Sequence, residues 1–195
     1  MIRYKACLNS IATLKLLPDS KTNENRFDVF DPNFAKFRTN KCIVLDLTNP
    51  ITNIKYKKDV SMYDRTLKYK IGKTVKIRFY NNNPNKICAR GIHYFKTYDA
   101  AVSWFYRENP YTSELKYGTY GFYRDNGRIY KEYEYYEHHR KLTVWYEDGQ
   151  KKYEIDVMSY NRIKTLDHKE WHNNGQIISS KFHKINVYTG FFMNC

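Results

Sequence analysis

The stretch Thr119 to His183 holds one pattern three times, as Tyr123-Arg-Asp-Asn126-Gly127, Trp145-Tyr-Glu-Asp148-Gly149 and Trp171-His-Asn-Asn174-Gly175. In each copy an aromatic residue is followed four positions later by a glycine that closes an Asn-Gly or Asp-Gly pair, and the glycines lie 22 and 26 positions apart. Recurrence at such a period marks an internal repeat. Asn-Gly and Asp-Gly are strong short hairpin signals, because glycine takes positive φ freely and Asn or Asp tolerates it, so a type I′ turn is expected at each pair. Ahead of the second turn Thr143, Trp145 and Glu147 alternate with Val144, Tyr146 and Asp148, and behind it Tyr153, Ile155 and Val157 share a face. Each copy reads as a β-hairpin, and successive hairpins are expected side by side in one antiparallel meander. A lone hairpin is marginal in water, so the copies must stack to bury their aromatic face.

Trp145-Tyr-Glu-Asp-Gly-Gln-Lys-Lys-Tyr-Glu154 resembles the "WYxNGQxK" variant of the MORN repeat, with Tyr123 to Tyr130 and Trp171 to Ile178 as weaker copies. The strands lack the further glycines of the fuller MORN pattern. The resemblance implies a scaffold or interaction surface and no catalysis.

A chain of 195 residues has room for one domain or two small ones, and its 42% hydrophobic content is enough for a core. The aromatic excess is tyrosine, 20 against 3 tryptophans, and tyrosine suits half-buried sheet faces where the ring packs and the hydroxyl stays wet. The net charge of +14 is uneven: residues 1 to 110 hold 21 Lys and Arg against 9 Asp and Glu, whereas residues 111 to 195 hold 13 against 11. A basic first half fits an anionic partner, whether nucleic acid, a lipid surface or an acidic protein, and equally fits a solvated surface that aids solubility. Cys7, Cys42, Cys88 and Cys195 are far apart with no Cys-x-x-Cys pair, which argues against structural zinc. The start has no apolar run of signal-peptide type and no stretch approaches the ~20 apolar residues of a membrane span. A reducing compartment, free thiols and no transmembrane segment are therefore expected.

Taken in order, Ile11 to Leu17 reads as a first strand with Ala12, Leu14 and Leu16 on one face, and residues 19 to 40 read as a long polar loop. Cys42 to Leu47 is an apolar and so buried second strand, stopped by Asn49-Pro50. Leu67, Tyr69 and Ile71 mark a third, and Thr74 to Tyr80 a fourth, with Val75, Ile77 and Phe79 alternating against Lys76, Arg78 and Tyr80. Asn81 to Lys86 is a surface loop and Ile92 to Phe95 a short strand. A helix follows over Tyr98 to Arg107, capped by Thr97, with Asp99 in its first turn and Ala100, Ala101, Trp104 and Phe105 on one face. The fold class expected is an α+β domain over residues 1–110, then a mostly β meander of hairpin repeats over 111–195, with the boundary at about residues 108 to 116.

The blocks Tyr4 to Cys7, Ala12 to Pro18, Lys41 to Leu45, Tyr69 to Lys73 and Cys88-Ala-Arg-Gly-Ile-His-Tyr-Phe95 with Ala100-Ala101 are similar, in order and spacing, to an uncharacterised domain that recurs in giant DNA viruses and some phages. Lys41-Cys42 stands where that domain tends to have Cys-Arg. The resemblance implies a large nucleocytoplasmic DNA virus as source, with the virion and, during assembly, the host cytoplasm as location. Gly91 to Phe95 with Ala100-Ala101 also loosely resembles the "GIYFA…A" segment of ADP-ribosyltransferases, which would require a later catalytic glutamate; Glu108 and Glu114 are the nearest.

Candidate chemistry is sparse. Cys88 and His93 lie five apart, so a thiol–imidazole pair is conceivable, set against a buried cysteine and a strand-ending histidine. His138-His139 reads as a wet inter-repeat loop, since strand neighbours point to opposite faces. Phosphate-loop, nucleophile-elbow, HExxH and dinucleotide motifs are absent from the sequence. Lys68 with Lys70, and Lys76 with Arg78, are basic rows expected on strand faces that could meet phosphates. The terminal Phe191, Phe192 and Met193 would either cap the meander's last strand or dock into a neighbour. Together these point to a non-enzymatic viral structural or assembly protein with neither cofactor nor metal, acting through contacts with other viral structural proteins or itself. A basic module for nucleic acid or anionic membrane is the alternative, and an ADP-ribosyltransferase-like enzyme the second.

Overall fold

The structure is a computed structural model that describes residues 1–108, 118–160 and 163–186. The chain divides into two compact units, Met1–Glu114 together with Tyr123–Arg128, and Leu115–Phe122 together with Ile129–Cys195. The expected boundary segment and the terminal Phe191, Phe192 and Met193 fall almost wholly outside the described residues.

The first unit is built on strands β1 (Ile2–Ala6), β2 (Ile11–Lys15), β3 (Lys36–Thr39), β4 (Lys41–Thr48), β5 (Lys58–Val60), β6 (Lys68–Lys70), β7 (Thr74–Lys76) and β8 (Ile92–Phe95), followed by helix α1 (Tyr98–Glu108). Six of them form a sheet in the order β3-β8-β1-β2-β4-β7, all neighbours antiparallel. Strand neighbours point to opposite faces, so Ile11 and Ala12 enter different cores. Ala12, Leu14 and Leu16 join Phe37, Val44, Leu47, Ile92 and Tyr94, and the separate β5–β6 pair adds Tyr69 to this cluster. Ile11 and Phe95 meet Ala100, Ala101, Trp104 and Phe105 of α1 on the other side. The helix begins where Thr97 Oγ1 accepts the Ala100 N–H at 3.3 Å, the capping bond its sequence promised.

Three expectations for this unit are corrected. Ile11 to Leu17, expected as the first strand, is preceded by Ile2–Ala6, a strand at the middle of the sheet. The long loop over residues 19 to 40 contains β3, all four of whose residues are buried. Its Lys-Phe-Arg-Thr sequence looks polar, but Phe37 and Thr39 pair opposite Tyr94 and Ile92 while Lys36 and Arg38 face the other way, opposite Phe95 and His93. The fourth strand ends at Lys76 rather than Tyr80, and Phe79 sits at φ 66°, which no strand tolerates, so Lys76 and Arg78 do not share a strand face.

The second unit is an antiparallel meander of β9 (Gly118–Tyr123), β10 (Ile129–Tyr135), β11 (His139–Trp145), β12 (Lys151–Tyr160), β13 (Ile163–Trp171) and β14 (Ile177–Asn186), in sequential order across one sheet. The register places Tyr133, Leu142, Val144, Tyr153, Ile155, Val157 and Leu166 on one face. The opposite face carries Glu134, Lys141, Glu154, Asp156, Asp167 and Lys169, cross-linked by ion pairs such as Lys141–Glu154 at 3.4 Å and Lys169–Asp167 at 2.8 Å. His139 begins β11 and pairs with Asp156 at 2.8 Å, so it belongs to that charged face and not to a wet loop.

The repeated turns share one geometry, which differs from type I′. Gly127, Gly149 and Gly175 have φ of 88°, 96° and 82°, whereas Asn126, Asp148 and Asn174 are not in the positive-φ region. The glycine N–H donates to the carbonyl three residues back, at 2.9, 3.2 and 2.9 Å, which describes a type I turn followed by a left-handed glycine. The Asn or Asp is required because its Oδ1 accepts the N–H two residues on, at 3.0, 2.9 and 3.0 Å. The repeat aromatics Tyr123, Trp145 and Trp171 each end the strand that enters the turn.

Gly127 has a second constraint. The turn Tyr123–Arg128 is part of the first unit, where Phe30 N–H donates to Asn126 O at 2.9 Å, Lys36 N–H to Asp125 O at 3.0 Å, and Tyr123 stacks on Phe34 with centroids 3.9 Å apart. A Cβ at Gly127 would lie 2.1 Å from the Asp31 carbonyl oxygen, whereas one at Gly175 meets only the flexible Gln150 Oε1 at 3.2 Å. Gly175→Ala is expected to cost about 1 kcal/mol, the left-handed penalty alone, and Gly127→Ala at least about 2 kcal/mol more, since backbone must move. Urea unfolding of the two variants checks the ranking, and equal losses refute it.

Candidate functional site

A cavity of about 680 Å³ opens in the first unit, and six of its lining side chains are cations: Lys5, Lys36, Lys76, Arg78, Arg90 and Arg107. The carboxylates among the lining residues are Asp64 and Asp125, and Cys88, His93, Phe95 and Trp104 complete the inner wall. Each element contributes by local rules. Alternation on β3 and β8 sends Lys36 and His93 away from the Phe37–Tyr94 core, and α1 delivers Trp104 and Arg107 one turn apart. Trp104 holds a cation on its ring at each of two contacts, Lys36 Nζ at 4.5 Å and the Arg107 guanidinium at 4.2 Å, so it anchors charge here.

Lys36 is buried and also pairs with Asp125 Oδ1 at 2.9 Å, with the Cys88 thiol 3.8 Å from its ammonium. Asp125 belongs to the first repeat turn, so that turn supplies part of the cavity wall. Lys5 is 6% exposed and has no carboxylate partner among the described residues; its ammonium lies 5.6 Å from the Tyr69 ring centroid. Burial pulls this ammonium below the ordinary lysine value.

Arg38 is the deepest cation, fully buried, and it is structural. Its guanidinium donates to three carbonyls, those of Asn81, Asn83 and Lys86, and lies 4.9 Å from the Tyr80 ring centroid. The Asn81–Lys86 loop is thereby wrapped on an internal cation. Gly91 is needed for this packing, because a Cβ there would sit 3.1 Å from Arg38 Cβ and 3.2 Å from the Tyr80 ring.

The structure does not join Cys88 to His93 by any hydrogen bond among the described contacts. His93 Nε2 lies 3.0 Å from the Ile87 carbonyl oxygen, while the exposed Cys88 thiol approaches Lys36 and Asp125. Burial pushes Cys7 and Cys42 up to about 12, so these thiols are packing groups. Tyr94 is buried with its hydroxyl donating to Glu24 at 2.6 Å, so it serves the core of the sheet. Of the basic residues read from the sequence, Lys76 and Arg78 line the cavity with Arg90, whereas Lys68 and Lys70 on β6 do not. Lys5, Lys36 and Arg107 were missed; the signal was present only as lysines and an arginine set among apolar strand and helix residues. The described residues contain no cluster of three metal-ligating side chains, and no described helix is long and apolar enough to cross a membrane.

His93 makes stability depend on pH. Burial, with Lys5, Lys36 and Arg38 adding positive potential, pulls its imidazole down to about 4. Its folded value lies below the unfolded one, so the native state favours the neutral ring. The contribution is complete above about pH 6.5 and is lost as pH falls toward 4, amounting to about 3 kcal/mol over that window. His93→Gln is expected to flatten the urea midpoint between pH 6.5 and 4.5; a midpoint that falls as steeply as in the wild type refutes the assignment.

Residues 1–101 of the 195 match the family described as a family of unknown function, DUF5758. No curated protein and no solved structure matches the chain. The matched segment carries β1 through β8 and the start of α1, and with them most of the cavity wall. With more than half of its length matched, the chain belongs to this family of unknown function, DUF5758.

Proposed function

We propose that the protein is a non-enzymatic assembly component, a virion or minor capsid protein, that works through protein–protein contacts of its meander. The observation that carries this reading is the state of the last strands. Among the described residues β14 ends the strand order, and Met158, Ile177, Ile178 and Phe182 on β12 and β14 are 56%, 61%, 49% and 65% exposed. An edge strand with apolar side chains on both faces is a template for a further strand. The partner to which the reading commits is a second copy of this chain, joined edge to edge. The resemblances to MORN-type repeats and to a domain of giant DNA viruses support the same class of role. The basic module for nucleic acid or anionic membrane is the second reading, supported by the cations gathered around the cavity.

Sedimentation of the full chain tests the assembly reading. Mass is expected to rise with concentration, and Ile178→Lys with Phe182→Lys is expected to leave a monomer of unchanged melting temperature. A wild type that stays monomeric at all concentrations, with a melting temperature lowered by deleting Phe191 to Cys195, would mean that the tail caps its own sheet and that the reading is wrong.

A further inference from the structure

We propose that the cavity of the first unit is a binding site for a small polyphosphorylated ligand, held by Lys5 and Lys36 at its floor and by Lys76, Arg78, Arg90 and Arg107 at its rim. Six cations against two carboxylates leave four positive charges around about 680 Å³, a volume suited to a small-molecule ligand. The floor is the decisive part. A cation used for solubility stays in water, yet Lys5 and Lys36 are only 6% and 9% exposed. An ammonium without a counter-ion is costly to bury, and Lys5 has the Tyr69 ring near it but no carboxylate among the described residues. A ligand anion at the floor would supply that counter-ion.

The rim is also arranged in advance. Phe79 is held at φ 66°, a costly conformation for an aromatic residue, and its 70% exposed ring has the Arg78 and Arg90 guanidiniums at 5.2 and 5.9 Å from its centroid. Backbone strain is thus spent on placing two planar, five-donor groups at one mouth, the geometry that binds phosphate oxygens in pairs. The depth of Lys5 favours a small ligand over a nucleic acid, whose backbone phosphates would meet the rim alone. Asp125, which pairs with Lys36, is the internal anion that the ligand's phosphates would rival.

Calorimetry on the full chain tests this with tripolyphosphate, ATP and a short single-stranded DNA as probes. Tripolyphosphate and ATP are expected to bind at one site per chain. Lys76→Gln with Arg90→Gln, both on exposed side chains, is expected to weaken binding by at least about tenfold, whereas Lys68→Gln with Lys70→Gln, the same charge change outside the cavity, is expected to leave it unchanged. Bound tripolyphosphate should also slow alkylation of Cys88, read in a Cys195→Ser background. Lys5→Met, if its melting temperature is retained, should lose tripolyphosphate binding. The proposal is overturned if neither small anion saturates, if the two double variants weaken binding alike, or if DNA binds while tripolyphosphate fails to compete with it.

Discussion

Uncompensated buried charge is the constraint that shapes the first unit. Lys5, Arg26, Lys36 and Arg38 are all buried there, while Asp59 is its one buried carboxylate among the described residues. Asp59 is itself engaged elsewhere, accepting from Asn9 N–H at 3.0 Å and Ser10 Oγ at 2.7 Å. The buried cations therefore draw on part-exposed carboxylates, backbone carbonyls and aromatic rings, since an unsolvated charge without partners would outweigh much of the stability of a domain this size. Arg38 takes backbone carbonyls and the Tyr80 ring; Arg26 takes the Asp28 carboxylate at 3.5 Å, the Asp125 carbonyl and the Phe37 ring; Lys36 takes Asp125 and Trp104. The irregular segments 20–36 and 79–91 are ordered by these cations rather than by secondary structure.

The first repeat turn shows how one local motif can serve two ends. Its Asx-Gly geometry is the same as in the other two turns, fixed by the Oδ1 bond to the N–H two residues on. Yet Asn126 O and Asp125 O also accept backbone N–H groups of Phe30 and Lys36, and the Asp125 carboxylate pairs with Lys36. A repeat unit is expected to contact its sequence neighbours. The turn of the first repeat belongs instead to the first unit, and its glycine meets backbone where Gly175 of the third copy meets only a side chain.

What the sequence disclosed follows from the range of the interactions involved. The meander was legible because each hairpin is set by a turn of a few residues and by strict alternation, both local. Helix α1 was legible through Thr97, Asp99 and the Ala100–Phe105 face for the same reason. The turn type was misread because Asn and Asp tolerate positive φ but were selected here for their side-chain acceptor. Strands β1 and β3 were missed because Arg3, Lys5, Lys36 and Arg38 look like surface residues until partners 21 to 89 positions away are in place, such as Glu24 for Arg3 and Asp125 for Lys36. The same blindness hid Lys5 and Lys36, two of the cavity's six cations.

The two units differ in where a few of their cations sit, and the difference bears on the cavity. In the meander Lys141, Lys151 and Lys169 lie beside carboxylates on one half-buried face, an arrangement that stabilises modestly. Most of the excess in residues 1 to 110 is exposed, as at Lys57, Lys58, Lys68, Lys70, Lys76 and Arg90. Two of the excess lysines are instead buried against a cavity whose rim carries four more cations. Lys36 has Asp125 beside it, whereas Lys5 is buried without a carboxylate among the described residues, so an anion bound in the cavity, as proposed, would stabilise the first unit by linkage.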